Sequence, residues 1–244
     1  MIGTVPAGMI LQHVLVFFLM VVSPLWERHQ IGRLKRSTEP GKKVRLYGKV
    51  VTVSWMCALV AALTVGPKMV VTLQAMPGEL TWLSGGSRGG MFLRGLTAGI
   101  LLVILWPAVL AIWKEDIRTK AVKSVKKLAF LLPSTREERQ WWWLVCFTAG
   151  VCEEIAYRGF LLHYLHVAPF HLTLMWALVA SSVIFGIGHI YQGVAGAVQT
   201  ALIGCVMGGM FLATGNLLLP IVVHILLDLR VLALLPEGFE TAAE

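Results

Sequence analysis

From Trp141 to Leu235 the chain is almost uninterrupted apolar sequence, and inside that run stands "VCEEIAYRGF" (Val151 to Phe160), with two adjacent carboxylates and an arginine. Lipid offers the backbone no hydrogen-bond partner, so apolar stretches of about 20 residues cross a bilayer as helices. A soluble domain of this size carries about 25% charged residues. This chain carries 14%, with 57% hydrophobic residues and a mean hydropathy of +0.76. It therefore reads as all-α: a polytopic transmembrane helix bundle of about seven spans, with six to eight as the range.

The spans are expected at about Val5–Trp26, Val50–Ala75, Met91–Trp113, Trp141–Leu165, His171–Ile190, Gly193–Thr214 and Leu217–Leu235. The first lacks a basic n-region and a small-residue cleavage site, so it is read as a retained span. "GPK" at Gly66 to Lys68 is a kink or an early end of the second. The net charge of +8 is concentrated in two segments, Glu27–Lys49 and Lys114–Gln140. Positive-inside logic puts both in the cytoplasm, with the N-terminus outside and the C-terminus inside. That accounts for the basic charge without a nucleic-acid partner. The organisation is then residues 1–140, three spans with basic cytoplasmic loops; 141–235, a core of four spans; and 236–244, an acidic tail. Compact size and short loops point to a multi-pass protein of a prokaryotic inner (plasma) membrane. The four cysteines (Cys57, Cys146, Cys152, Cys205) lie in apolar stretches and form no disulfide framework. Gly193, Ala197, Ala201, Gly204 and Gly208 make a small-residue stripe that lets a neighbouring helix approach closely.

Ionisable groups inside a membrane cost a few kcal/mol each and face the bundle interior. Residues four apart share a helix face, which pairs Glu154 with Arg158, Phe185 with His189, and His224 with Asp228. Glu154 and Arg158 alone could be a structural ion pair. Glu153 has no cation at i+4, only Tyr157, and two histidines and an aspartate on other helices are its natural partners. A glutamate beside a histidine can deprotonate a water, and a second histidine can donate to a developing oxyanion. The same residue types can bind zinc, although HExxH is absent. Ser181 and Ser182 lie about two turns from His189, and Cys152 points about 100° from Glu153, so neither nucleophile is well placed.

"EEIAYR" (Glu153, Glu154, Arg158), "FGIGH" (Phe185, His189) and "HILLD" (His224, Asp228) resemble, in order, the EExxxR, FxxxH and HxxxN/D motifs of the CPBP (Abi) family of intramembrane proteases, which includes the Ras-converting CAAX endopeptidase. The resemblance covers about Trp141 to Leu235. It implies a metal-independent glutamate peptidase with no cofactor, zinc being the alternative. It implies Glu153 as general base, His189 fixing the water, His224 and Asp228 lining the oxyanion site, Glu154 and Arg158 supporting the geometry, and Phe185 and Tyr157 packing beside the substrate. Asp228 stands where the CAAX enzymes have Asn, and an ionised Asp cannot donate to an oxyanion. Either it is protonated or it orients His224. The implied partners are a membrane-associated protein or peptide substrate, with C-terminal processing of a prenylated protein among the options, and the lipid bilayer. A non-catalytic immunity or scaffold protein of the same fold and a small proton-coupled transporter are the competing readings.

Overall fold

The computed structural model describes residues 7–66, scattered positions between 91 and 119, and residues 128–167 and 169–234. Most of the third expected span, the end of the second beyond Gly66, part of the second basic segment and the acidic tail lie outside the described residues. Every described element is a helix, and there is no β-strand among them.

The first helix runs without a break from Ala7 to Arg36. It consists of α1 (Ala7–Phe17), a π-helical stretch (Phe18–Val22) and α2 (Ser23–Arg36). The π stretch has a local cause. Pro24 has no backbone N–H, so the i→i−4 ladder fails there and the chain re-registers around it. The first basic segment is mostly helix, not loop. Arg28 to Arg36 extend α2, Lys42 to Lys49 form the first turns of α3 (Lys42–Val65), and only the turn with Pro40 and Gly41 (φ 69°) separates them. Lys and Arg are good helix formers whose long stems lie along apolar surface while the charge stays wet. At "GPK", α3 stops at Val65, with Gly66 at φ 81°, and the residues that would tell an early end from a kink lie outside the described residues.

A capping box starts α4 (Arg136–Glu153): Thr135 accepts from the Glu138 N–H, and the Glu138 carboxylate reaches back to the Ser134 and Thr135 backbone. Lys43 of α3 meets the same carboxylate at 3.3 Å, which ties the two helices together at that end. The helix continues through a second π stretch (Glu154–Leu161) into α5 (Leu162–Val167). Then come α6 (Leu174–Gly188), a single 3-10 turn (Ile190–Gln192), α7 (Val194–Thr214) and α8 (Leu218–Leu234).

Among the described residues, three helices are long and apolar enough to cross a membrane: Gly8–Arg36, Lys42–Val65 and Val194–Thr214. Leu174–Gly188 is apolar but shorter. Large apolar side chains such as Leu63, Trp176, Val194 and Leu218 are well exposed. Lipid is the solvent that accepts them, and the chain is an integral membrane protein.

The most extensive packing is α6 against α7, followed by α3 and α8 against α4. Glycines set both close approaches. Gly204 and Gly208 of the small-residue stripe face Ser182, Phe185 and Leu178 of α6. A methyl group on Gly186 would sit 2.5 Å from the Ala197 carbonyl oxygen and 2.8 Å from the Ala201 Cβ. Backbone cannot yield as a flexible side chain can. Gly186→Ala is therefore expected to cost about 1–3 kcal/mol by overpacking. Thermal unfolding in detergent, with Gly8→Ala as the unhindered control, checks this. Gly150 plays the same part between α4 and α8, where an added methyl would meet Ile225 at 2.4 Å.

Candidate active site

Two of the three motif segments lie where a helix is locally irregular, and the third lies on a regular helix. Glu153 ends α4, and Glu154, Tyr157 and Arg158 belong to the π stretch that follows. His189 caps α6 in a non-helical conformation (φ −97°, ψ 15°), just as the chain leaves the helix for the 3-10 turn. Its depth in the bundle is thus set by a 15-residue helix that breaks off early. His224 and Asp228 stack one turn apart on α8.

At the centre is a buried network. Glu154 has no exposed surface and Arg158 almost none. The Arg158 guanidinium donates to Glu154 Oε1 at 2.9 Å and to the Gly204 carbonyl at 3.3 Å, and lies 4.5 Å over the Phe185 ring. Glu154 Oε1 also receives His224 Nδ1 at 2.7 Å. A carboxylate at Nδ1 fixes the tautomer and ring plane of the imidazole. His224 Nε2 is thereby turned toward Glu153 Oε2 and Asp228 Oδ2, each 3.7 Å away. Glu153 Oε2 is buried without a hydrogen-bond partner, so this carboxylate has unused accepting capacity at the centre of the site.

His189 donates from Nδ1 to the Phe185 carbonyl at 2.9 Å, which leaves Nε2 free of the helix. Phe185 packs edge-on against Tyr157, His189 and His224, with centroids 4.9, 4.7 and 6.1 Å apart. One aromatic ring therefore holds both histidines and the arginine in register.

Two cavities meet here. The larger, about 340 Å³, has Glu153, Tyr157, His189, His224 and Asp228 at one end and apolar side chains of the first π stretch, α2, α3 and α4, among them Leu19, Val50, Val53 and Trp142, along its walls. The smaller, about 160 Å³, is lined by Gln192, Gln199, Thr200 and Arg230 together with His189, His224 and Asp228. All eight residues singled out from the sequence are thus brought together, Glu154 and Arg158 behind the wall and the other six at or beside the cavities. Sequence reasoning did not single out Glu27, Tyr191, Gln192 or Arg230, which also line them. Glu27 directly follows the first apolar run, and that is the one signal by which it could have been found.

The alternative nucleophiles are occupied elsewhere. Ser181 and Ser182 donate to the Tyr157 and Leu178 carbonyls. Cys152 is buried, with no hydrogen bond to a histidine among the described residues. Among the described residues no three His, Cys, Asp or Glu side chains are arranged to hold a metal ion.

Residues 136–230 match the family model described as type II CAAX prenyl endopeptidase Rce1-like. This is the CPBP-like segment of the sequence, the one whose three motifs resemble that family's. The match spans all three motifs and less than half of the chain. No curated protein and no solved structure matches the chain. The CPBP-type segment contains the buried Glu154–Arg158–His224 network entirely, whereas much of the larger cavity's wall comes from helices that precede it.

Proposed function

We propose that the protein is an intramembrane endopeptidase in which Glu153 activates water without a metal. The observation that carries this reading is the orientation of His224. With Nδ1 bound to a buried carboxylate, its Nε2 faces both Glu153 and Asp228 beside a cavity that also holds His189.

In this mechanism a water lies between Glu153 and His189. Glu153 takes its proton as the oxygen attacks the scissile carbonyl carbon. With a carboxylate at each ring nitrogen, His224 donates from both: Nδ1–H to Glu154, and Nε2–H to the oxyanion as it forms. Asp228 keeps its ionised form in this scheme and orients His224, so no donation is asked of it. The C–N bond breaks as Glu153 returns its proton to the leaving amine. Water has then been added across the peptide bond and every side chain is restored.

The shape of the site supports a substrate that straddles two compartments. The large apolar cavity suits a lipid-like or apolar segment, and Arg230 in the small polar one suits a peptide's C-terminal carboxylate. C-terminal processing of a prenylated or otherwise membrane-associated protein fits both. The seven-span arrangement with both basic segments in the cytoplasm, in a prokaryotic inner membrane, belongs to the same proposal and rests on charge distribution.

The test uses full-length protein in nanodiscs with a library of membrane-proximal and C-terminal peptides, lipidated and plain, each as free acid and as amide, with and without EDTA. Cleavage that survives EDTA, with free acids cut about tenfold or more faster than amides, is the expected result; loss of one charge-assisted contact is worth that much. Cleavage abolished by EDTA would replace the glutamate mechanism with metal-dependent hydrolysis. No cleavage, with full function in cells of a Glu153→Gln protein, would leave an immunity or scaffold role.

A further inference from the structure

Glu27 lies on the first helix, more than a hundred residues before the CPBP-type segment. It lines the same cavity as Glu153, His189, His224 and Asp228. Three features place it there. The π stretch Phe18–Val22 and Pro24 re-register the helix just ahead of it. Ser23, one turn back, donates to Glu27 Oε1 at 3.0 Å and fixes the side chain's direction. The helix then packs against α6 and the 3-10 turn, the elements on either side of His189. π stretches are frequent at functional sites, and here each of two helices has one next to a carboxylate of the same cavity.

The Glu27 carboxylate forms no salt bridge among the described residues, and Ser23 is its one recorded hydrogen-bond partner there. In this it differs from Glu154, which Arg158 neutralises. A half-buried carboxylate in a membrane helix without a cation is costly unless something across the cavity compensates it. Among the described residues, three side chains that can carry a positive charge line the cavity with it: His189, His224 and Arg230. His224 and Arg230 lie on α8, whereas His189 sits between the two elements that α2 packs against, and its Nδ1 is already held by Phe185.

Building on the peptidase reading above, we propose that Glu27 is a positioning residue of the active site: its carboxylate faces His189 across the cavity and holds the free Nε2 edge of that ring toward the water that Glu153 activates. The catalytic arrangement is then not complete within residues 136–230. The first helix supplies a carboxylate to His189, much as Glu154 supplies one to His224. The fold thus gives each histidine of the site its own acidic partner and leaves Glu153 free for the proton.

The experiment uses full-length protein labelled with ¹⁵N-histidine in nanodiscs: wild type, Glu27→Gln, Glu27→Asp, and the exposed Glu39→Gln as control, with His189→Asn to assign the ring signals. In Glu27→Gln the His189 ring signals are expected to shift while those of His163 and His166 stay in place, and Glu27→Asp is expected to recover part of the change. On any peptide the wild type cleaves, kcat should fall by up to about 100-fold with KM little altered, the size of effect a misplaced catalytic group produces. Unchanged His189 signals in Glu27→Gln would overturn the proposal. So would equal shifts in all histidine signals together with a lower melting temperature, which would make Glu27 a structural residue. If the wild type cleaves no peptide but the His189 signals respond to Glu27 alone, the coupling stands and it is the peptidase reading that fails.

Discussion

Replacing Glu153 by glutamine is expected to remove cleavage, by about 10²–10⁴-fold in kcat, and to leave the folded protein intact. The size follows from the role: a positioned general base contributes about that much, and an amide cannot take the water's proton. The intact fold follows from the surroundings. Glu153 Oε2 accepts no hydrogen bond, and the nearest ring nitrogen, His224 Nε2, is 3.7 Å away, so the substitution breaks no bond that holds helices together. Single-turnover cleavage of a peptide established with the wild type, beside a thermal melt of both proteins, makes the comparison. A Glu153→Gln protein with undiminished cleavage would move the base elsewhere.

The opposite result is expected at Arg158, behind the wall of the site. Arg158→Ala leaves the Glu154 carboxylate fully buried with only His224 to compensate it, while the Gly204 carbonyl loses a donor and the Phe185 ring loses the charge stacked on it. Breaking a buried pair by deleting one partner costs about 3–5 kcal/mol. The variant should unfold well below the wild type in detergent and accumulate poorly in cells. Arg158→Lys should fall between, since an ammonium cannot reproduce the planar fork that reaches both Glu154 and Gly204. An Arg158→Ala protein as stable as wild type would show that the network is not structural. Adjacent carboxylates thus have divided duties: changing Glu153 should affect rate alone, whereas disturbing Glu154 or its arginine should affect stability first and rate as a consequence.

Much of this was legible in the sequence because charge inside an apolar run is rare and the helix period is fixed. Glu154 with Arg158 and His224 with Asp228 are four apart, and both pairs share a face as that spacing requires. The apolar runs likewise give α7 and α8 to within about a residue, since lipid and packing leave few other places for such segments to end. The first basic segment reads as a loop by its charge and is mostly helix, because helix propensity and not polarity decides where the chain bends, and only Pro40 and Gly41 interrupt it. Glu27 reads as part of that charged segment for the same reason.

By itself, then, the sequence determined an all-helical membrane protein, the faces on which Glu154, Arg158, His224 and Asp228 lie, and a small-residue stripe on α7. The tertiary structure alone decided that His224 takes Glu154 at one nitrogen and turns the other to Glu153 and Asp228, that Phe185 holds both histidines and the arginine, and that Glu27 of the first helix enters the cavity. The physical reason is one of range. Periodicity follows from the geometry of a single helix, so it appears in the spacing of residues along the chain. Which helices touch, and at what height, depends on where π stretches re-register them and where glycines let them close, and that has no fixed spacing in the sequence.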